Sequence, residues 1–365
     1  MRIGTLFGIE ISVDGSWIFV FALVTWALAS PTGPIHVAGA DTAVRIVLGI
    51  LGSLLFFASV LLHELAHSLL ARKRGINVRG IVLFIFGGVS LFENQAADAP
   101  GEAWISGIGP LTSLLLGALF YVLALLAAAQ TAAAALFGYL SLANVLLAVF
   151  NILPAYPLDG GRVLHALIWK TSGNRERATR LTARVGRLLA AVMIAYGIVE
   201  TLSFDPFGGL WITFIGWFLL QAGNAEQTSS AITEALRGHT AGELAAPPEL
   251  RLPADATAAR ALTAMAQAKV RALPVFVGGE ILGVATYAEL SRLSEDERTQ
   301  TYVTAVMTRA DDLASVPASM PASEAVAQLA RTGAEAIVLI AAGGASAGVF
   351  TRESVVRWLA GMKQR

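Results

Sequence analysis

Between Ile46 and Ala71 one side chain carries a formal charge, Glu64, and it lies inside His63-Glu64-Leu65-Ala66-His67. An apolar run of this length is long enough to cross a bilayer as a helix. An ionisable residue in such a run is expensive to keep and marks a functional position by default. On a helix, positions i and i+4 share a face, so His63 and His67 can offer imidazole nitrogens to one metal ion. Glu64 beside them is placed to take a proton from water at such an ion.

Composition narrows the rest. The chain has 365 residues, 55% hydrophobic and 14% charged, with a mean hydropathy of +0.65, which points to a membrane protein. Its formal net charge is zero, so there is no bulk electrostatic case for direct nucleic-acid binding. It has no cysteine, which excludes disulfides and limits any metal site to His, Asp and Glu. Residues 1–224 carry 13 Lys and Arg and 11 Asp and Glu, and residues 225–365 carry 13 and 15. The first part reads as membrane and the second as a water-facing domain.

Residues 4–13 alternate loosely and predict a short strand or hairpin. Residues 16–30 are the first apolar span. Ala27-Leu28-Ala29 resembles a signal-peptide cleavage site, but Arg2 with Glu10 and Asp14 makes a poor basic leader, so the span is read as retained. The second span, about 43–71, ends in Arg72-Lys73-Arg74. Residues 76–93 are rich in Val, Ile and Phe and broken by Gly87-Gly88. They predict strands or a re-entrant loop near the metal site, with an ordinary interfacial hairpin as the alternative.

Residues 103–158 carry no charge and fit two spans with a turn near Gln130–Ala132. Pro154 and Pro157 cannot sit in a regular helix interior, so the helix unwinds there and restarts near Asp159. A basic loop, Lys170 to Arg187, and two further spans, about 186–203 and 207–222, complete the membrane part. The basic segments 72–79 and 162–187 fall on one side, and the opposite turns carry no Lys or Arg. About six spans then place both termini and the water-facing part in the cytoplasm. At 1.5 Å per residue, His67 lies roughly 7 Å and His63 roughly 14 Å in from Arg72, and Asp159 roughly 16 Å in from Lys170. The three side chains can sit at one level, in the cytoplasmic third of the bilayer.

A tetrahedral catalytic zinc takes three protein ligands and a water. Asp159 is the best candidate for the third, since it follows a helix break that can aim it inward. Its alternative role is to cap the helix that follows. His165 reads as a polar residue near the interface, and His36 and His239 as loop residues.

Residues 223–240 are polar and read as a linker or short helix. Beyond them, Gly278, Gly279, Gly283, Val284 and Thr286 recur as Gly343, Gly344, Gly348, Val349 and Thr351, an offset of 65. Each copy, about 242–294 and 303–360, predicts helix, strand, glycine turn, strand and helix.

Together HELAH, the Gly87-Gly88-Val89-Ser90 segment and Asn151-Ile-Leu-Pro-Ala-Tyr-Pro-Leu-Asp159-Gly160 resemble the site-2 protease family of intramembrane zinc metalloproteases, over about residues 1–222. The resemblance implies one zinc held by His63, His67 and Asp159, with Glu64 as general base. It implies that Asn151 lines the site and helps hold the substrate or its oxyanion. Gly87 and Gly88 would belong to a membrane sheet and loop that presents the substrate strand. Gly109-Pro110 matches a family pattern read as close helix packing. The implied substrate is a membrane-spanning protein, for example an anti-sigma factor or another membrane-tethered regulator.

The repeat, within 241–365, resembles a pair of CBS domains. That resemblance implies an adenine nucleotide at Thr286, Glu289 and Thr351, or a homodimer or docking role. The usual Thr-x-x-Asp ends here in Glu289 in one copy and in Ser354 in the other. The expected architecture is a multi-pass α-helical membrane protein with a short membrane-associated β segment, followed by a cytoplasmic α/β CBS pair. A CBS-regulated transporter or channel is the other class that fits the spans and the repeat.

Overall fold

The computed structural model describes residues 1–35, 41–85, 87–92, 96–128, 131–245, 250–342 and 346–362. His36, Gln130 in the turn expected between the third and fourth helices, and the second glycine pair, Gly343-Gly344, lie outside the described residues. The chain forms two compact units, Met1–Thr228 and Ser229–Arg365.

In the first unit, β1 (Arg2–Leu6) and β2 (Ile9–Val13) make the predicted hairpin, followed by α1 (Gly15–Ala29) and α2 (Thr42–Lys73). The segment after α2 is strand, not re-entrant loop: β3 (Val78–Phe84) and β4 (Gly87–Phe92) pair antiparallel. It is also more than a lone hairpin. Strand β2 pairs parallel with β3, from Glu10 opposite Gly80 to Val13 opposite Leu83, giving a four-stranded sheet in the order β1-β2-β3-β4. Period-two alternation explains how the sheet is held. Ile9, Val13, Ile81 and Leu83 are buried against Val60 and Leu65 of α2, while Glu10 between them is exposed.

Helices α3 (Ala99–Leu126) and α4 (Ala132–Ile152) follow. Asp98 caps α3 by accepting from the Gly101 amide at 3.1 Å. The helix breaks after Ile152, as Pro154 and Pro157 require, and restarts as α5 (Asp159–Ser172). The region 170–187 corrects the expectation of a loop. Gly173, at φ +66°, ends α5, and Asn174 caps α6 (Arg175–Ser203) by accepting from the Arg177 amide at 2.8 Å. Arg, Glu and Ala are strong helix formers, and Glu176 pairs with Arg180 one turn on, so dense charge here marks a helix face and not a break. The polar stretch 223–240, expected as a linker or short helix, continues α7 (Pro206–Ala235) as helix as far as Ala235.

Among the described residues, α2, α3, α4 and α6 are long and apolar enough to cross a membrane. The chain is a membrane protein with an α-helical core. Helix α1, at 15 residues, rises about 22 Å, short of the roughly 30 Å hydrocarbon layer.

The second unit contains β5 (Leu252–Pro253), α8 (Ala258–Ala268), β6 (Ala272–Val277), β7 (Glu280–Thr286), α9 (Tyr287–Ser291), α10 (Glu295–Gln300), β8 (Thr308–Arg309), β9 (Ser315–Pro317), α11 (Ala322–Thr332), β10 (Ala336–Ile340), β11 (Ser346–Thr351) and α12 (Arg352–Met362). They make sheets in the orders β5-β6-β7-β8 and β11-β10-β9. The two copies meet through equivalent positions. Val284 and Val349 share one buried cluster, and the Ile281 amide donates to Ser346 Oγ at 3.3 Å, a pair again 65 residues apart. The turn between β6 and β7 uses Gly278 and Gly279 at φ +58° and +96°, which side chains rarely adopt.

Candidate metal centre

Helix α2 presents His63 and His67 one turn apart, both buried at 3% and 5% exposure. The break after α4 delivers Asp159 as the first residue of α5, and its Oδ2 lies 3.1 Å from His63 Nε2 and 3.2 Å from His67 Nε2. Asp159 is not the cap of α5, because that position is Leu158, which makes no side-chain cap bond. One ligand atom from each of the three lies within 4.8 Å of the others.

The far nitrogens fix what the near ones can do. His67 Nδ1 lies 2.5 Å from the Ile105 carbonyl. A carbonyl only accepts, so Nδ1 carries a proton, and in the neutral ring Nε2 keeps its lone pair. His63 Nδ1 lies 2.9 Å from Ser113 Oγ, which leaves its Nε2 turned to the same point. With both rings protonated on Nδ1 only, two imidazole lone pairs and a carboxylate oxygen converge on one point, the donor set a cation takes; with a proton on Nε2 instead, either imidazole donates to Asp159 Oδ2. Two ligands about 2.0–2.1 Å from a tetrahedral ion stand roughly 3.3 Å apart, close to the two His–Asp separations of 3.1 and 3.2 Å. The nitrogen and oxygen donors and their outer hydrogen bonds fit zinc.

Helix α3 completes the cradle. A Cβ on Gly109 would collide with His67 Nε2 and stand 2.6 Å from His63 Nε2. Gly109 therefore does more than let helices pack, since its missing side chain leaves the space into which the ligand nitrogens point. Ile105, Gly109 and Ser113 recur at intervals of four on α3, and they mirror the His63–His67 interval on α2 across the helix pair. Pro110, next to Gly109, has no N–H for the Ser106 carbonyl.

Glu64 lies on α2 beside the histidines, under β4. Ser90 Oγ donates to Glu64 Oε2 at 2.8 Å, and Ser68 Oγ donates to Ser90 Oγ at 3.0 Å. A Cβ on Gly88 would stand 2.5 Å from Glu64 Cγ. Gly87 takes φ +123°, where the chain enters β4. Asn151 sits at the end of α4 and donates through Nδ2 to the Leu147 carbonyl at 2.9 Å. His165 is held apart from the triad: it is 2% exposed, with Nδ1 2.8 Å from Glu102 Oε2 and Nε2 3.2 Å from Thr179 Oγ1.

Sequence reasoning missed Ser90, Ser68, Ser113 and the Ile105 carbonyl. For Ser113 a signal existed in the spacing from Gly109. For a backbone carbonyl there was none.

The CBS positions are organised differently. Thr286 and Glu289 form a capping box: Thr286 Oγ1 donates to Glu289 Oε2 at 2.8 Å, and the Glu289 amide donates to Thr286 Oγ1 at 3.2 Å. Glu289 Oε1 accepts from Thr308 Oγ1 at 2.6 Å. In the second copy the Ser354 amide donates to Thr351 Oγ1 at 3.1 Å, and both residues are buried at 4% exposure.

Comparison with known proteins gives a consistent picture. The pattern of peptidase family M50 matches residues 51–128 and 125–193, and that of the CBS domain matches 241–296. Rip3 of Mycobacterium tuberculosis, a zinc metalloprotease by name, is 33% identical over 375 residues, covering 97% of this chain and 91% of its own. The protein sll0528 of Synechocystis, of similar name, is 29% identical over 363 residues, covering 98% and 95%. Among solved structures, the site-2 protease of Methanocaldococcus jannaschii is 28% identical, covers 62% of this chain and 94% of its own, and aligns with a TM-score of 0.44.

Proposed function

The chain belongs to peptidase family M50, the site-2 proteases, and from that footing we propose that it hydrolyses a peptide bond in or near the transmembrane segment of a membrane-bound protein. The observation that carries this reading is the convergence of His63 Nε2, His67 Nε2 and Asp159 Oδ2 beside Glu64. His63, His67 and Asp159 are the proposed zinc ligands. Zinc in such a set supplies Lewis-acid activation of a carbonyl and of water.

The remaining roles fall to the chain itself. Glu64 takes a proton from the attacking water and returns it to the leaving amine. Asn151 has one N–H on the Leu147 carbonyl, and its second N–H and its Oδ1 are what it offers to a substrate. A helical substrate hides its carbonyls and must unwind before it is cut. Strand β4 pairs only with β3 among the described residues, so its outer edge, starting at Gly87 and Gly88, can accept the unwound segment as a further strand. Helix α7, and α1 together with its flanking residues, are proposed as further spans beside α2, α3, α4 and α6, with both termini and the CBS unit proposed to lie on the cytoplasmic side.

The CBS pair is proposed to gate cleavage or to join two chains. A nucleotide at Thr286, Glu289 and Thr351 would have to displace the caps those residues make. A transporter leaves unexplained why two histidines and an aspartate converge beside Glu64.

The test is to compare membrane proteomes of cells carrying the wild-type chain and Glu64→Gln. The expected result is accumulation of a single-span protein, or a small set of them, in the variant. Identical profiles under conditions where the wild type is expressed would refute the proposal.

A further inference from the structure

Strand β4 does something the proposed reaction does not by itself require of a strand. Its alternation places Gly88 and Ser90 on one face, while Val89 and Leu91 between and beyond them are exposed at 42% each. The Gly88–Ser90 face lies on Glu64. Ser90 Oγ is 2.8 Å from Glu64 Oε2 and 3.2 Å from the Glu64 carbonyl, and its single proton goes to the carboxylate as the stronger acceptor. Ser68, one turn after Glu64 on α2 and fully buried, donates to Ser90 Oγ and so leaves the Ser90 proton nowhere better to point. The bracket closes on itself, from α2 through Ser68 to β4 and back through Ser90 to α2. Gly88 adds a steric stop against Glu64 Cγ.

We propose that Ser90, set by Ser68, is a positioning residue that holds Glu64 Oε2 and leaves Oε1 as the atom that accepts the proton from water. A general base works only within hydrogen-bond reach of its proton and in the right orientation. A glutamate has three side-chain torsions, and Ser90 removes the freedom of the last of them. Because Ser90 belongs to the strand whose outer edge is open, whatever steadies β4 steadies the base as well. This inference rests on the metalloprotease reading of the site.

The experiment uses the full chain, reconstituted in liposomes with a single-span substrate, in the forms wild type, Ser90→Ala, Ser90→Thr, Ser68→Ala, Glu64→Gln and Ser90→Ala/Glu64→Gln. Ser90→Ala is expected to lower kcat about 10- to 100-fold, the usual cost of removing an orienting partner, with KM and zinc content near wild type. Ser90→Thr keeps the hydroxyl and is expected to restore most of the rate. Ser68→Ala is expected to give a smaller loss of the same kind. In the double variant the two losses should not multiply, since a Gln at position 64 has no base to aim.

A Ser90→Ala enzyme with wild-type kcat would overturn the proposal. So would one whose loss appears in zinc content and melting temperature together, or one that Thr fails to rescue, because either result makes Ser90 structural. The two readings fail separately. Full cleavage by Glu64→Gln sinks the metalloprotease itself, whereas a dead Glu64→Gln beside an unaffected Ser90→Ala sinks only the role of Ser90.

Discussion

The membrane unit and the CBS unit each gather hydroxyls and acids at a helix terminus, and they treat them in opposite ways. In the CBS unit the partners at the two helix starts are complementary. Glu289 accepts from Thr286 and Thr308, Thr351 accepts from the Ser354 amide, and two helix starts are capped. In the membrane unit the inner nitrogens of His63 and His67 both face Asp159 Oδ2, while their outer nitrogens are held by Ser113 and the Ile105 carbonyl. Polar groups that satisfy each other stabilise a fold. Two imidazole nitrogens and a carboxylate oxygen that converge on one point are also a ligand set, and the proposed zinc is what they would hold.

The comparison can be broken at several points, taken from the largest expected effect down. Glu64→Gln keeps the shape but cannot take a proton, so cleavage of a reconstituted substrate should fall by about 10²- to 10⁴-fold with zinc content unchanged. Robust cleavage by that variant would remove the distinction between the two units. Gly109→Ala fills the space before both Nε2 atoms, so it should cost zinc affinity on the order of 100-fold although no ligand is touched. Equilibrium dialysis against a chelator measures this, and wild-type affinity would show that the cradle is not where the ligands point. Ser113→Ala removes only the outer partner of His63 and should weaken zinc by about 10-fold, read in the same assay.

The smallest effect belongs to the CBS unit. Thr286→Ala should lower the stability of that unit by about 1 kcal/mol, the worth of a cap, and leave zinc content unchanged. Millimolar AMP, ADP or ATP should not shift the melting temperature of the full chain. A clear shift would mean that the capping box opens for a ligand, and the CBS positions would join the metal centre as a site awaiting a partner.

How much of this was legible beforehand follows the range of the interactions. The His63–His67 pair, the apolar spans and the break before Asp159 are local: they depend on a helical period, a length and two prolines. The parallel pairing of β2 with β3 joins Glu10 to Gly80, and nothing near either residue announces it. For the same reason Ser90 looked like one residue of a glycine-rich strand, and its role appears only when β4 is laid across α2. The basic stretch 170–187 misled because charge density says that a face is solvated, not that the backbone has left the helix. Asp159 had two readings at the sequence level, cap and ligand; its position after Leu158 removes the cap, and its Oδ2 lies beside both imidazoles, which supports the proposal that it is a ligand.

The central claim is that Asp159, and no other acid or histidine on α5, completes a zinc site with His63 and His67. Metal analysis of the purified chain beside Asp159→Ala and His165→Ala tests it without any substrate. The account predicts about one zinc per chain in the wild type and in His165→Ala, and a sharp loss in Asp159→Ala, because three protein ligands are needed to hold the ion. A full complement of zinc in Asp159→Ala would contradict it.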